Sequence, residues 1–163
     1  MKKIVFTFLL IISVSAFSQE KEEIAAFFDQ YLTTKSQLEM IEKSIPTLEE
    51  CKLVFKGDDA KVYHDAIQSV KTEIEKMKKT IPNETFVKST YEEFNSNDAI
   101  AGDKNSTYGM HRISKRLKPD IQYYMVSYLD QNGSQSRLSP YKFFVYLNGK
   151  WRFFPKPTIV FKD

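Results

Sequence analysis

Apolar residues first gather at the extreme N-terminus, where Ile4 to Val14 form a short run broken only by Thr7 and Ser13. Lys2 and Lys3 precede the run, and Ala16-Phe17-Ser18 places small residues three before and one before a cut ahead of Gln19. This order predicts a secretory signal peptide over residues 1–18, whose apolar core is too short for a membrane anchor. From Lys21 to about Ser44 the pattern changes to steps of three and four, with Ile24, Phe27, Phe28, Tyr31, Leu38, Ile41 and Ile45 on one helical face. The polar stretch around Lys35 loosens the middle of this helix, and Pro46 ends it. Thr47 and Glu50 have capping-box spacing ahead of a short helix with Leu48, Cys51 and Phe55 on one side. A third helix, capped by Asp58 or Asp59, carries the stripe Tyr63, Ile67, Val70, Ile74 and Met77 as far as about Thr80.

Beyond Asn83 helical periodicity fades. Thr85–Phe94 fits either a strand or a helix turn, with a fourth strand near Phe86–Tyr91 as one outcome; Asn95–Thr107 reads as a polar loop, and Gly109–Leu117 predicts a short helix with Met110, Ile113 and Leu117 inward. The last third is rich in aromatic and β-branched residues, in Ile121–Asp130, Leu138–Leu147 and Lys150–Phe154. Asn132-Gly133 and Asn148-Gly149 separate these runs, and Asn-Gly favours tight hairpins. The expectation is an α+β domain over residues 19–163. Its N-terminal helices pack on a C-terminal antiparallel meander of three or four strands.

Composition narrows the function classes. The 163 residues carry a formal net charge of +3, which falls to +1 when Lys2 and Lys3 leave with the signal peptide. A near-neutral protein lacks the basic face that nucleic acid requires, so no nucleic-acid partner is expected. Local basic clusters remain at Lys76, Lys78 and Lys79 and at Lys115, Arg116 and Lys118. Cys51 is the single cysteine, and its place in an apolar stripe predicts a buried thiol rather than a nucleophile. With no cysteine at the signal cut, the exported chain is expected to be free of a lipid anchor, in the periplasm or secreted from a Gram-negative envelope.

Candidate chemistry is sparse. His64 and His111 are the only histidines and have no zinc-ligand spacing, so no metal and no cofactor are expected. Asp103-Lys104-Asn105 begins like a calcium loop, but Tyr108 and Ser114 stand where glycine and glutamate are needed. The stronger signal is aromatic: ten of the chain's 23 aromatics fall between Tyr123 and Phe154. Alternation sends Tyr123, Met125 and Leu129 one way and Tyr124, Val126 and Tyr128 the other, so both sheet faces carry large apolar groups. One face packs on the helices. Tyr124, Tyr128, Phe144, Tyr146 and Phe154 are the candidate residues for a ligand pocket, a partner or homodimer interface, or further core.

Asn148-Gly149-Lys150-Trp151-Arg152-Phe153, closing an antiparallel meander after a helical half, resembles the last hairpin of small secreted NTF2-like or cystatin-like α+β proteins. The ending Phe153-Phe154-Pro155-Lys156-Pro157 is similar to that of uncharacterised exported bacterial proteins. The resemblance implies a helix-and-sheet cone, where NTF2-like enzymes place an acid–base Asp or His. The leading expectation is an exported non-enzymatic protein that binds a small apolar ligand or a protein partner through the aromatic sheet face. The alternative is an NTF2-like hydrolase or isomerase with a cone-shaped pocket, using His64, His111 or Asp120 for proton transfer.

Overall fold

The computed structural model describes residues 22–105, 107–135, 142–155 and 157–161. The signal peptide read over residues 1–18, and the start of the strand read from Leu138, lie outside the described residues. The chain divides into two compact units, Met1–Gln30 and Tyr31–Asp163. In the first unit, helix α1 covers residues 22–28. Asp29 N donates to Ala25 O at its end, and the rings of Phe27 and Phe28 meet edge-on at 5.1 Å.

The second unit is an α+β fold, with helices first and an antiparallel sheet in its C-terminal part. It opens with α2 (Thr34–Lys43), so the long N-terminal helix of the sequence reading is two helices. The break falls just before the polar stretch at Lys35. Thr33 takes extended backbone and forms a reciprocal capping box with Ser36, which starts a new helix instead of continuing the old one. Thr34 N then donates to Glu84 O, and Phe86 N to Leu32 O, tying this cap to the chain entering the sheet.

Helices α3 (Leu48–Val54), α4 (Asp59–Ile67) and α5 (Ser69–Thr80) follow. The Thr47–Glu50 capping box forms as its spacing predicts. The third helix of the sequence reading is divided at Gln68 into α4 and α5. Tyr63, Ile67 and Ile74 of its stripe are buried. Strand β1 (Lys88–Asn95) resolves the ambiguous segment as sheet. The polar stretch after it contains a short helix α6 (Ser96–Ile100), where a loop is expected. Asn95 and Asp98 build a third capping box there, while Ser96 and Ala99 are buried. A 3₁₀ helix (Met110–Arg116) precedes β2 (Gln122–Leu129), and β3 (Lys142–Leu147), β4 (Lys150–Phe153) and α7 (Pro157–Val160) complete the chain. Pro157 occupies the first turn of α7, a position that proline tolerates because its missing N–H has no helical partner.

The sheet order is β1-β2-β3-β4, every neighbour antiparallel. Both Asn-Gly dipeptides turn the chain, in different ways. Asn148 and Gly149 have φ of 51° and 77°, the two left-handed residues of a type I′ hairpin. After β2, Asp130 N donates to Ser134 O, Gly133 N to Asp130 O, and Leu129 bridges Gln135. That is a three-residue loop with Gly133 (φ 77°) as its left-handed residue.

One core cluster lies on one face of this sheet. Phe94, Tyr123, Met125, Phe143, Val145 and Leu147 pack against Cys51, Val54, Phe55, Tyr63 and Ile67 from the helices. Met110, Ile113 and Leu117 join them, as the inward positions of the 3₁₀ segment predict. Tyr63 is a hub: its ring lies 4.5 Å from Phe55 and 5.8 Å from Phe154, and its hydroxyl donates to Pro155 O at 2.9 Å.

Candidate functional site

Register puts Tyr91, Tyr124, Val126, Tyr128, Phe144, Tyr146, Trp151 and Phe153 on the second sheet face, since directly opposed residues share a face. Their rings form one row and one separate pair. Tyr91, Tyr124, Trp151 and Tyr146 follow one another at 5.9, 5.0 and 5.1 Å, and Phe144 meets Phe153 at 5.4 Å. Phe86 packs on Tyr128 at 6.3 Å.

The sequence candidates separate on this map. Tyr128 and Phe144 are fully buried and Tyr124 nearly so, which makes this stretch of the face packed interior. Tyr146 is 55% exposed beside the half-buried Trp151, at the β3–β4 hairpin. Phe154 lies on the other side of the sheet. It follows β4, donates its amide to Phe143 O, and is fully buried with Phe55 and Tyr63. The five residues therefore do not converge on one opening.

The opening in this region is a groove of about 410 Å³ beside the sheet end. Its walls are Leu38 and Ile41 of α2, Ile67 of α4, Val70, Ile74 and Met77 of α5, and Ile159 and Val160 of α7, with Phe153 joining it to the second sheet face. Two polar side chains reach it. Ser69 returns its hydroxyl to Ala66 O at 3.2 Å, and Glu73 is engaged by Lys76 at 2.8 Å. Lys78 Nζ, bonded to Glu42 at 2.7 Å and Glu75 at 2.8 Å, ties α5 to α2 along one margin. Both helical stripes were legible in the sequence. That they stand apart and leave an apolar gap is a packing result that no periodicity encodes.

The acid–base candidates lie on three separate elements with no hydrogen bond between them. His64, on α4, contacts Gln68 Nε2 at 3.0 Å and Asp65 at 3.4 Å. Asp120 is exposed, with φ of 61°, and accepts from Asn97 Nδ2 at 2.7 Å. His111 lies in the 3₁₀ helix, 3.4 Å from Thr107 Oγ1. Among the described residues no group of three or more His, Cys, Asp or Glu is placed to hold a metal, and no helix is long and apolar enough to cross a membrane.

Cys51 is fully buried and its thiol is pushed up to about 12, first by burial and then by the neighbouring Glu50 charge. That environment suppresses the thiolate a nucleophile needs. Burial likewise raises the phenols of Tyr63 and Tyr123 far above their ordinary range. Fold and site together define an α+β protein with an apolar groove at one end of its sheet. No protein-family model matches the chain, and no curated protein and no solved structure is significantly similar to it.

Proposed function

We propose that this chain is an exported, non-enzymatic binding protein that holds a small apolar ligand in the groove between α2, α5, α7 and the end of β4. One observation carries the reading: an opening of about 410 Å³ is walled almost entirely by aliphatic side chains and Phe153. Ligand sites typically have volumes of roughly 300–1,000 Å³ and mostly apolar linings. Burying apolar surface there supplies affinity of roughly 25 cal/mol per Å² before association costs. Ser69 and Glu73 already have partners, so the groove asks little polar matching of its occupant.

Native mass spectrometry of protein purified from its own host is expected to show a retained apolar molecule. Titration with N-phenyl-1-naphthylamine is expected to saturate with a fluorescence rise. Val70→Trp, which fills the groove, should weaken binding about tenfold or more, while Val62→Trp at an exposed site should leave it unchanged. No saturable binding, or equal binding by both variants, overturns the proposal.

A protein partner is the second reading, favoured by Tyr146 standing 55% exposed against Trp151 on the sheet. Light scattering over a hundredfold concentration range tests its simplest form, a homodimer. Tyr146→Lys should abolish any association that uses this edge.

A further inference from the structure

The 3₁₀ helix builds a second concavity with opposite chemistry. Met110 and Ile113 are buried, the backbone kinks at Ile113 (φ −110°, ψ 18°), Arg112 and Lys115 are exposed, and His111, Ser114 and Arg116 are half-buried. Residues 111–116 and Asp59 line a recess of about 650 Å³ whose polar side chains are Asp59, His111, Arg112, Ser114, Lys115 and Arg116. Asp59 is the carboxylate among them, and Arg116 neutralises it through Nη1 at 2.7 Å while its Cζ lies 4.8 Å from the centre of the Phe161 ring. Arg112 and Lys115 are exposed, and their side chains make no ion pair or hydrogen bond among the described residues. Thr107 Oγ1 gives its proton to Asp103 O at 2.6 Å, so it can only accept from His111 Nδ1–H. That leaves His111 Nε2 as the ring's uncommitted nitrogen.

We infer that this recess binds a small oxyanion carrying two or more negative charges, held by Arg112 and Lys115 with His111 beside them. A fork-shaped guanidinium and a compact ammonium, both unpaired and in one hollow, fit the oxygens of such a group. The +3 charge spread over 163 residues attracts anions only weakly, so this local cluster dominates. The recess is confined to six consecutive residues, 111–116, and Asp59, too small for a stable protein interface.

Pyrophosphate is the probe, titrated into the ¹⁵N-labelled protein against sodium chloride of matched ionic strength. Saturable amide shifts confined to residues 107–117 and the start of α4 are expected. Arg112→Gln with Lys115→Gln should weaken binding about tenfold or more, because both charge-assisted contacts go. Lys71→Gln with Lys79→Gln removes the same charge elsewhere and should change it by no more than about twofold in moderate salt. These four side chains are exposed, so both variants keep the fold. Shifts scattered over the surface, absence of saturation, or equal loss in the two double variants overturns the inference.

Discussion

Arg152 donates through Nε to Glu50 Oε1 at 2.7 Å, and the two side chains are only 15% and 12% exposed. The other oxygen of Glu50 accepts from Thr47 N at 2.9 Å and Thr47 Oγ1 at 3.1 Å. One carboxylate thus caps α3 and anchors the edge strand β4 to it. An inward-pointing charge on an edge strand also discourages that edge from pairing with another chain.

Removing either partner should be costly. Arg152→Ala strands a largely buried carboxylate and is expected to destabilise by about 2–4 kcal/mol. Glu50→Gln keeps the shape and should cost about 1–2 kcal/mol. Burial by itself raises the Glu50 carboxyl, but the Thr47 amide and the Arg152 guanidinium outweigh it and hold the group below its ordinary value of 4.5. A carboxyl lowered by folding adds stability above its free value and loses it as pH falls through the folded one. Urea midpoints of the wild type should therefore drop below about pH 4.5. Glu50→Gln should lack that part of the drop; parallel curves would refute the assignment.

The Cys51 thiol should be chemically silent in the folded protein. Full burial and a value pushed up to about 12 leave almost no thiolate at neutral pH. Iodoacetamide at pH 7.5 is expected to leave the native chain unmodified and to alkylate one thiol per chain in guanidinium chloride. Rapid native labelling would show that the α3–α4 region opens easily.

Two buried tyrosines should respond in opposite ways to loss of a hydroxyl. Tyr63→Phe strands the Pro155 carbonyl and is expected to cost about 1–2 kcal/mol. Tyr123 stacks on Phe94 at 5.0 Å, and its buried hydroxyl finds no partner among the described residues. Tyr123→Phe removes an unpaired polar atom and should be neutral or stabilising by up to about 1 kcal/mol. Thermal melts of the two variants settle the comparison; a costly Tyr123→Phe would mean that the hydroxyl is satisfied.

The β3–β4 turn should be sensitive to backbone alone. A Cβ at Gly149 would meet nothing within 4 Å, yet its φ is 77°. Gly149→Ala is thus expected to cost about 1–2 kcal/mol through left-handed strain. Chemical denaturation measures this directly, and an unchanged midpoint would show that the hairpin adopts another turn.

Local rules were enough for much of this architecture. The helical stripes of α4 and α5, the Thr47–Glu50 cap and the Asn148-Gly149 hairpin each rest on residues within a few positions of one another. So does the alternation that separates Tyr123 from Tyr124. Where the fold departs from the broader pattern, a short-range cap competes with it. Thr33–Ser36 stopped one helix and started another, and Asn95–Asp98 capped a short helix inside a polar stretch.

The candidate site was less legible. The aromatic character of Tyr124, Tyr128 and Phe144 marks a preference for burial but not what does the burying. Tertiary packing decided that they would be interior and that the residual opening would lie between α2, α5 and α7. The sequence determined which side chains share a face, because periods of 2 and 3.6 are properties of the backbone. Only the fold decided which faces meet and where they stay apart, because that depends on side-chain volumes brought together from distant parts of the chain.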